Sequence, residues 1–152
     1  MSPGPAAAKA NTVALIESLT PTSKYDNNQS YKFDPKASDE ETLQDITRSF
    51  GVFWDGTFEY VPEARPSSEH PFSAYTMTVD VVIRYKDTRG SESDRFDAVM
   101  EDSAQLLKQL PRIAANAYDT ANTGLTLRMV EAISYDDGNL TVSVSHRLNL
   151  GS

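Results

Sequence analysis

The stretch "YTMTVDVVIRY" at residues 75–85 puts Tyr75, Met77, Val79, Val81, Ile83 and Tyr85 on one side of an extended strand and Thr76, Thr78, Asp80 and Arg84 on the other, because successive strand side chains point to opposite faces. An apolar face of that length must be covered. The cover is expected downstream, at residues 93–110, where Phe96, Val99, Met100, Leu106, Leu107 and Leu110 recur at three- and four-residue steps while Asp94, Asp97, Glu101 and Lys108 fall outside the stripe. That spacing predicts an amphipathic helix packed on Val79, Val81 and Ile83. Ser91 or Ser93 can cap its start, and Pro111 interrupts it or begins a second short helix through "PRIAANAY".

Two more segments alternate. "RSFGVFWDGTFEYV" carries Phe50, Val52 and Trp54, then Asp55 and Gly56, then Phe58 and Tyr60, and Asp-Gly between alternating runs predicts a hairpin. The closing "GLTLRMVEAISYDDGNLTVSVSHRLNL" predicts a second hairpin about Asp136–Asn139, with Leu140, Val142, Val144 and Leu148 sharing a face with His146.

The prolines and glycine of Met1 to Pro5 predict a frayed start, and the alanine-rich run from about Ala6, with Val13, Leu15, Ile16 and Leu19, predicts a peripheral helix ending at Thr20-Pro21. The domain is expected to occupy residues 12–150, preceded by a flexible arm at 1–11. Within it, residues 21–47 form a long polar loop in which only "YKF" at 31–33 suggests a strand. Ser38 and Glu41 have the spacing of a capping box for a turn running to Ile46, the alternative being a solvated acidic loop. Residues 62–72 form a proline-rich loop. The expected class is α+β, an antiparallel sheet with two hairpins covered on one face by two main helices.

Charge narrows the function. A formal charge of −8 argues against a dedicated nucleic-acid binder, whose affinity depends on cations that release counterions from phosphates. An acidic protein can still stand beside DNA and let it pass. The chain has no cysteine, which removes disulfides and thiolate chemistry and fits a reducing cytoplasm. No run is apolar enough to span a bilayer, and the start lacks the pattern of a signal peptide, so a cytoplasmic location without a membrane partner is expected.

Motifs for chemistry are sparse. His70 lies in the proline-rich loop, and His146 reads as a sheet-edge histidine with a hydrogen bond, or as a proton-sensitive contact at a subunit interface. Asp136 and Asp137 lack the alternating donors of a calcium loop and suit a turn instead. Arg84, Lys86 and Arg89, with Asp80, Asp87 and Glu92 nearby, read as a solvated salt-bridged rim. No phosphate loop, nucleophile elbow or metal-protease signature is present in the sequence, and no catalytic, metal-binding or cofactor-binding residue is assigned. Exposed loops without chemistry suit assembly, and Asp136, Asp137, Gly138, Asn139, Arg65, Glu69 and His70 are the candidate intersubunit or partner contacts.

The helix "NTVALIESL", the hairpin "FGVFWDGTFEY", the strand "YTMTVDVVIRY" running into the acidic helix "SDRFDAVMEDSAQLLKQLP", and the closing hairpin together resemble the tail terminator, or tail completion, proteins of long-tailed bacteriophages. The likeness covers most of residues 12–148 in element order and length. The long 21–47 segment and the 62–72 loop depart from it. The resemblance implies a homohexameric ring, assembled in the host cytoplasm, that caps the tail tube in the virion, stops tube polymerisation and joins the tail to the head connector. DNA would pass through its acidic channel without specific binding. A head-completion protein of the same neck, a small α+β enzyme or ligand-binding domain using His146 and Tyr135, and an acidic adaptor for a basic partner are the alternatives.

Overall fold

The alternating stretch forms the middle strand of a five-stranded sheet. The computed structural model describes residues 5–60, 74–88, 92–117 and 125–149. In chain order these give α1 (Pro5–Glu17), β1 (Lys32–Phe33), a 3-10 turn (Glu40–Thr42), β2 (Ser49–Tyr60), β3 (Ala74–Arg84), α2 (Glu92–Ala117), β4 (Leu125–Asp136) and β5 (Asn139–Asn149). The strands lie in the order β1-β2-β3-β5-β4. All neighbours are antiparallel except β1, which runs parallel to β2 through Lys32–Ser49 and Phe33–Phe50. The α+β class therefore holds, with a mixed rather than purely antiparallel sheet, because the short "YKF" strand joins alongside β2 in the same direction.

One sheet face is the core. Met77, Val79, Val81, Ile83 and Tyr85 of the opening stretch are buried with Phe50, Val52, Leu140, Val142 and Val144, under Ala8, Leu15 and Ile16 of α1, Leu19 just beyond its end, and Val99 and Leu106 of α2. Each large apolar side chain so buried contributes about 1.5–3 kcal/mol. α2 packs along β4, and α1 lies beside α2 over β1 and β2.

α1 is thus a core helix rather than a peripheral one. Its buried positions Ala8, Thr12, Leu15 and Ile16 follow helical spacing, but the first two are small, so the stripe is faint in the sequence. It also begins earlier than the boundary at residue 12, with Pro5 as first helical residue, where a missing N–H costs nothing.

The Asp55-Gly56 pair does not turn a hairpin. β2 is one strand, paired with β3 at Trp54–Val79 and again at Phe58–Met77, with a bulge between. Gly56 supplies a φ of 87°, and the Asp55 carboxylate accepts the Thr57 N–H at 2.9 Å. Both runs flanking the pair belong opposite the same partner strand, so the extra residues bulge instead of reversing the chain. The hairpin partner of β2 is β3, and the connection at 61–73 lies outside the described residues.

The helix after β3 starts at Glu92 and continues through Pro111 to Ala117 as one element. Ser93 is therefore inside its first turn, and Ser91 lies outside the described residues. The 21–47 segment is better ordered than a polar loop. Asp26 and Asn27, at φ 54° and 56°, make a tight turn closed by Tyr25 and Asn28. The capping box exists one residue later than expected, with Asp39 as cap and Thr42 as its reciprocal partner.

Candidate assembly surface

The closing hairpin turns on Asp137 and Gly138, at φ 48° and 81°, the pair of left-handed residues of a type I′ turn. The turn reading of Asp136–Asn139 therefore stands, but the tip is engaged by its own chain. The Tyr85 N–H donates to the Gly138 carbonyl at 2.7 Å, and Arg84 Nη1 donates to the Asp137 carbonyl at 3.1 Å. Arg84 Nε also binds Asp45 at 2.8 Å, and Asn139 Nδ2 donates to Glu40 at 2.7 Å. Gly138 is buried, while Asp136 and Asp137 remain exposed. Arg65, Glu69, His70 and Arg89 lie outside the described residues.

His146 is not at a sheet edge, because β5 lies between β3 and β4. It is fully buried, which rules it out as a contact on the surface of the subunit. Its Nε2 lies 3.1 Å from Thr12 Oγ1, and that hydroxyl donates to the Ala8 carbonyl at 2.8 Å. The hydroxyl proton is committed, so the imidazole donates through Nε2–H. Burial lowers its pKa to about 4.

His146 and Tyr135 do not share a pocket. His146 pairs with Leu127, whereas Tyr135 pairs with Leu140, so the two stand about 20 Å apart along β5 at roughly 3.3 Å per residue. Tyr135 instead meets the rings of Tyr85 and Phe96 edge-on. Among the described residues no group of three or more histidines and carboxylates is placed to hold a metal ion.

A buried polar cluster ties the 21–48 segment to α2, and the sequence reading did not identify it. Arg48 binds Asp102 through two parallel bonds, Nε to Oδ2 at 2.8 Å and Nη2 to Oδ1 at 3.1 Å, and its Nη1 donates to the Asn28 carbonyl. Tyr85 donates to Asp102 Oδ2 at 2.6 Å, and Tyr31 donates to Gln105 at 3.3 Å. Burial, then the charge of Asp102, pushes the phenols of Tyr31 and Tyr85 well above their ordinary range. Burial alone would lower Arg48, but the bonds and charge of Asp102 outweigh it and hold the guanidinium above its usual value. The sequence signal was Asp102 itself, a carboxylate between Val99 and Leu106 in the apolar stripe of α2.

The apolar residues of α2 divide into two sets. Val99 and Leu106 face the core, but Phe96, Met100 and Leu107 are 49%, 60% and 53% exposed. At 100° per residue, these three fall within a sector of about 40°, roughly 90° around the helix from Val99 and Leu106. The Phe96 ring meets Tyr135 of β4 at 5.7 Å, so the exposed flank adjoins the outermost strand, which has a neighbour only in β5 among the described residues. Asp97 and Glu101, both exposed, stand beside it.

The opposite sheet edge is different. β1 pairs only with Ser49 and Phe50, leaving the rest of β2 without a neighbour on that side among the described residues. Trp54 and Phe58, with rings 4.8 Å apart, are exposed there. A groove of about 340 Å³ runs between α1 and β1, lined by Ala6, Lys9, Ala10, Val13, Phe33 and Pro35.

Neither known protein families nor curated proteins match this chain in sequence.

Proposed function

We propose that the chain is a structural virion protein, a tail terminator whose copies form a ring on the head-proximal end of a phage tail tube. The observation that carries this reading is the exposed apolar flank of α2 beside the outer edge of β4, which has no partner strand among the described residues. A patch of large apolar side chains next to an open strand edge is costly to leave in water and prone to pairing. Unlike surfaces at the two sheet edges favour head-to-tail contacts, which close into a ring when the rotation per subunit allows.

The element order supports the same reading through the resemblance to tail terminators. One ring face would bind the last ring of tube subunits, and the other would meet the head connector while offering no surface for further tube growth. No reaction is required. At −8 per subunit, carboxylates facing the channel would repel DNA phosphates, so the genome would slide without being held. The exposed carboxylates of Asp136 and Asp137 are candidates for contacts with these partners.

The test is tail length in virus particles made without this protein. Overlong tubes are expected. Tails of normal length that fail to join heads would assign the chain to head completion and overturn the terminator reading.

A further inference from the structure

We propose that Asp55, in the bulge of β2, is a site of spontaneous aspartate isomerisation, whereas Asp137, in the same dipeptide, is protected by the turn it makes. The chain holds two Asp-Gly pairs, Asp55-Gly56 and Asp137-Gly138. In either pair the glycine nitrogen can attack the side-chain carboxyl carbon of the aspartate in its acid form. The N–Cγ bond forms, the nitrogen gives up its proton, the Cγ–OH bond breaks and a water leaves, closing a succinimide. Water then opens the ring. Attack at Cγ restores aspartate, and attack at the main-chain carbonyl leaves the chain running through Cβ and Cγ as isoaspartate, with no net change in mass.

The bulge favours each step. Asp55, Gly56 and Thr57 are exposed, so water reaches the ring. A Cβ on Gly56 would find nothing beyond its chain neighbours within 4 Å, so no other group crowds the attacking nitrogen. The Thr57 N–H donates to Asp55 Oδ1 at 2.9 Å. That oxygen gains negative charge as the nitrogen adds, and a donor already aimed at it lowers the barrier. Ring closure also fixes the torsion between the aspartate Cα and its carbonyl carbon, which turns the peptide that follows. In the bulge this disturbs no register pair, because the ladder with β3 stops at Trp54 and resumes at Phe58.

The hairpin tip opposes the same rotation. It would pull the Asp137 carbonyl from Arg84 Nη1, 3.1 Å away, and displace Gly138, whose carbonyl accepts the Tyr85 N–H at 2.7 Å. Gly138 is buried, with Arg84 Nη1 and the Tyr85 carbonyl pressed against the place of its missing side chain. Hydrogen bonds that must break before the ring can close raise the barrier at Asp137.

The test incubates the full chain at pH 6 and body temperature, digests it, and separates aspartate from isoaspartate peptides by fragmentation mass spectrometry. Isoaspartate should build up at Asp55 faster than at Asp137 by about tenfold or more, a barrier difference of about 1.4 kcal/mol at the lower bound. In urea, where neither the bulge nor the turn exists, the two pairs should react at like rates. Asp55→Glu, which cannot close the succinimide, should remove the product. Equal rates at the two pairs in the folded chain, a faster reaction at Asp137, or the same preference persisting in urea would overturn the proposal. So would a product that survives Asp55→Glu, or a folded chain that forms none at Asp55 while the chain in urea forms it at both pairs.

Discussion

Arg48 and Asp102 form a two-bonded ion pair in which neither side chain is exposed to solvent. The pair fastens the start of β2 to the middle of α2, and the Arg48 N–H also binds the Arg84 carbonyl at 2.6 Å. Arg48 holds this position at a φ of 64°, a conformation unusual for a bulky side chain, so its surroundings must compel it. Replacing Asp102 with Asn would strand a buried guanidinium. The expected loss is about 3–5 kcal/mol, read as a lower urea midpoint, and Arg48→Met combined with Asp102→Leu should recover part of it.

Tyr85 adds the third member of that cluster. Its hydroxyl donates to a carboxylate, so Tyr85→Phe should cost about 1.5–3 kcal/mol. Because burial and Asp102 raise the phenols of Tyr31 and Tyr85, the stability tied to their neutral forms is present below the unfolded tyrosine pKa and lost above it. Ultraviolet titration should find that these two phenols ionise only as the chain unfolds.

His146 gives the fold a dependence on acid. Its folded pKa of about 4 lies below the ordinary value, so between pH 6.5 and 4 the unfolded chain takes up a proton that the folded chain refuses. Stability from this group is intact above pH 6.5 and falls by roughly 1.4 kcal/mol per pH unit across that window. His146→Gln, which keeps a donor for Thr12 Oγ1, should flatten the difference between urea midpoints at pH 7 and pH 4.5.

The Asp137-Gly138 turn leaves no room for a side chain. A Cβ on Gly138 would stand 2.8 Å from Arg84 Nη1 and 3.0 Å from the Tyr85 carbonyl, at a φ that glycine alone adopts freely. Gly138→Ala should cost about 1–3 kcal/mol, measured by thermal unfolding.

The parts of the fold that were legible in the sequence are those where one period runs uninterrupted. β3 alternates without a break, and its apolar side is the core face as expected. The turn at Asp137-Gly138 was legible because only a few residues accept its backbone. The bulge at Asp55-Gly56 was misread because the same dipeptide serves a hairpin or a bulge, and the choice depends on where Phe58 finds its partner across the sheet. α1 was undervalued because Ala8 and Thr12 carry little hydrophobic signal, although small residues are what let a helix approach a sheet closely. The division of α2 into buried Val99 and Leu106 and exposed Phe96, Met100 and Leu107 is visible on a helical wheel, but the three- and four-residue steps concealed it by joining both sets into one stripe. Arg48 left no trace in its own neighbourhood, since its partner Asp102 is 54 positions away.

The most direct measurement is the mass of the purified chain, by light scattering or native mass spectrometry, alone and after mixing with tail-tube protein. A six-fold ring, or capture of the chain onto tube ends, is the predicted result. A chain that stays monomeric in both conditions and leaves the tubes unbound would contradict the account.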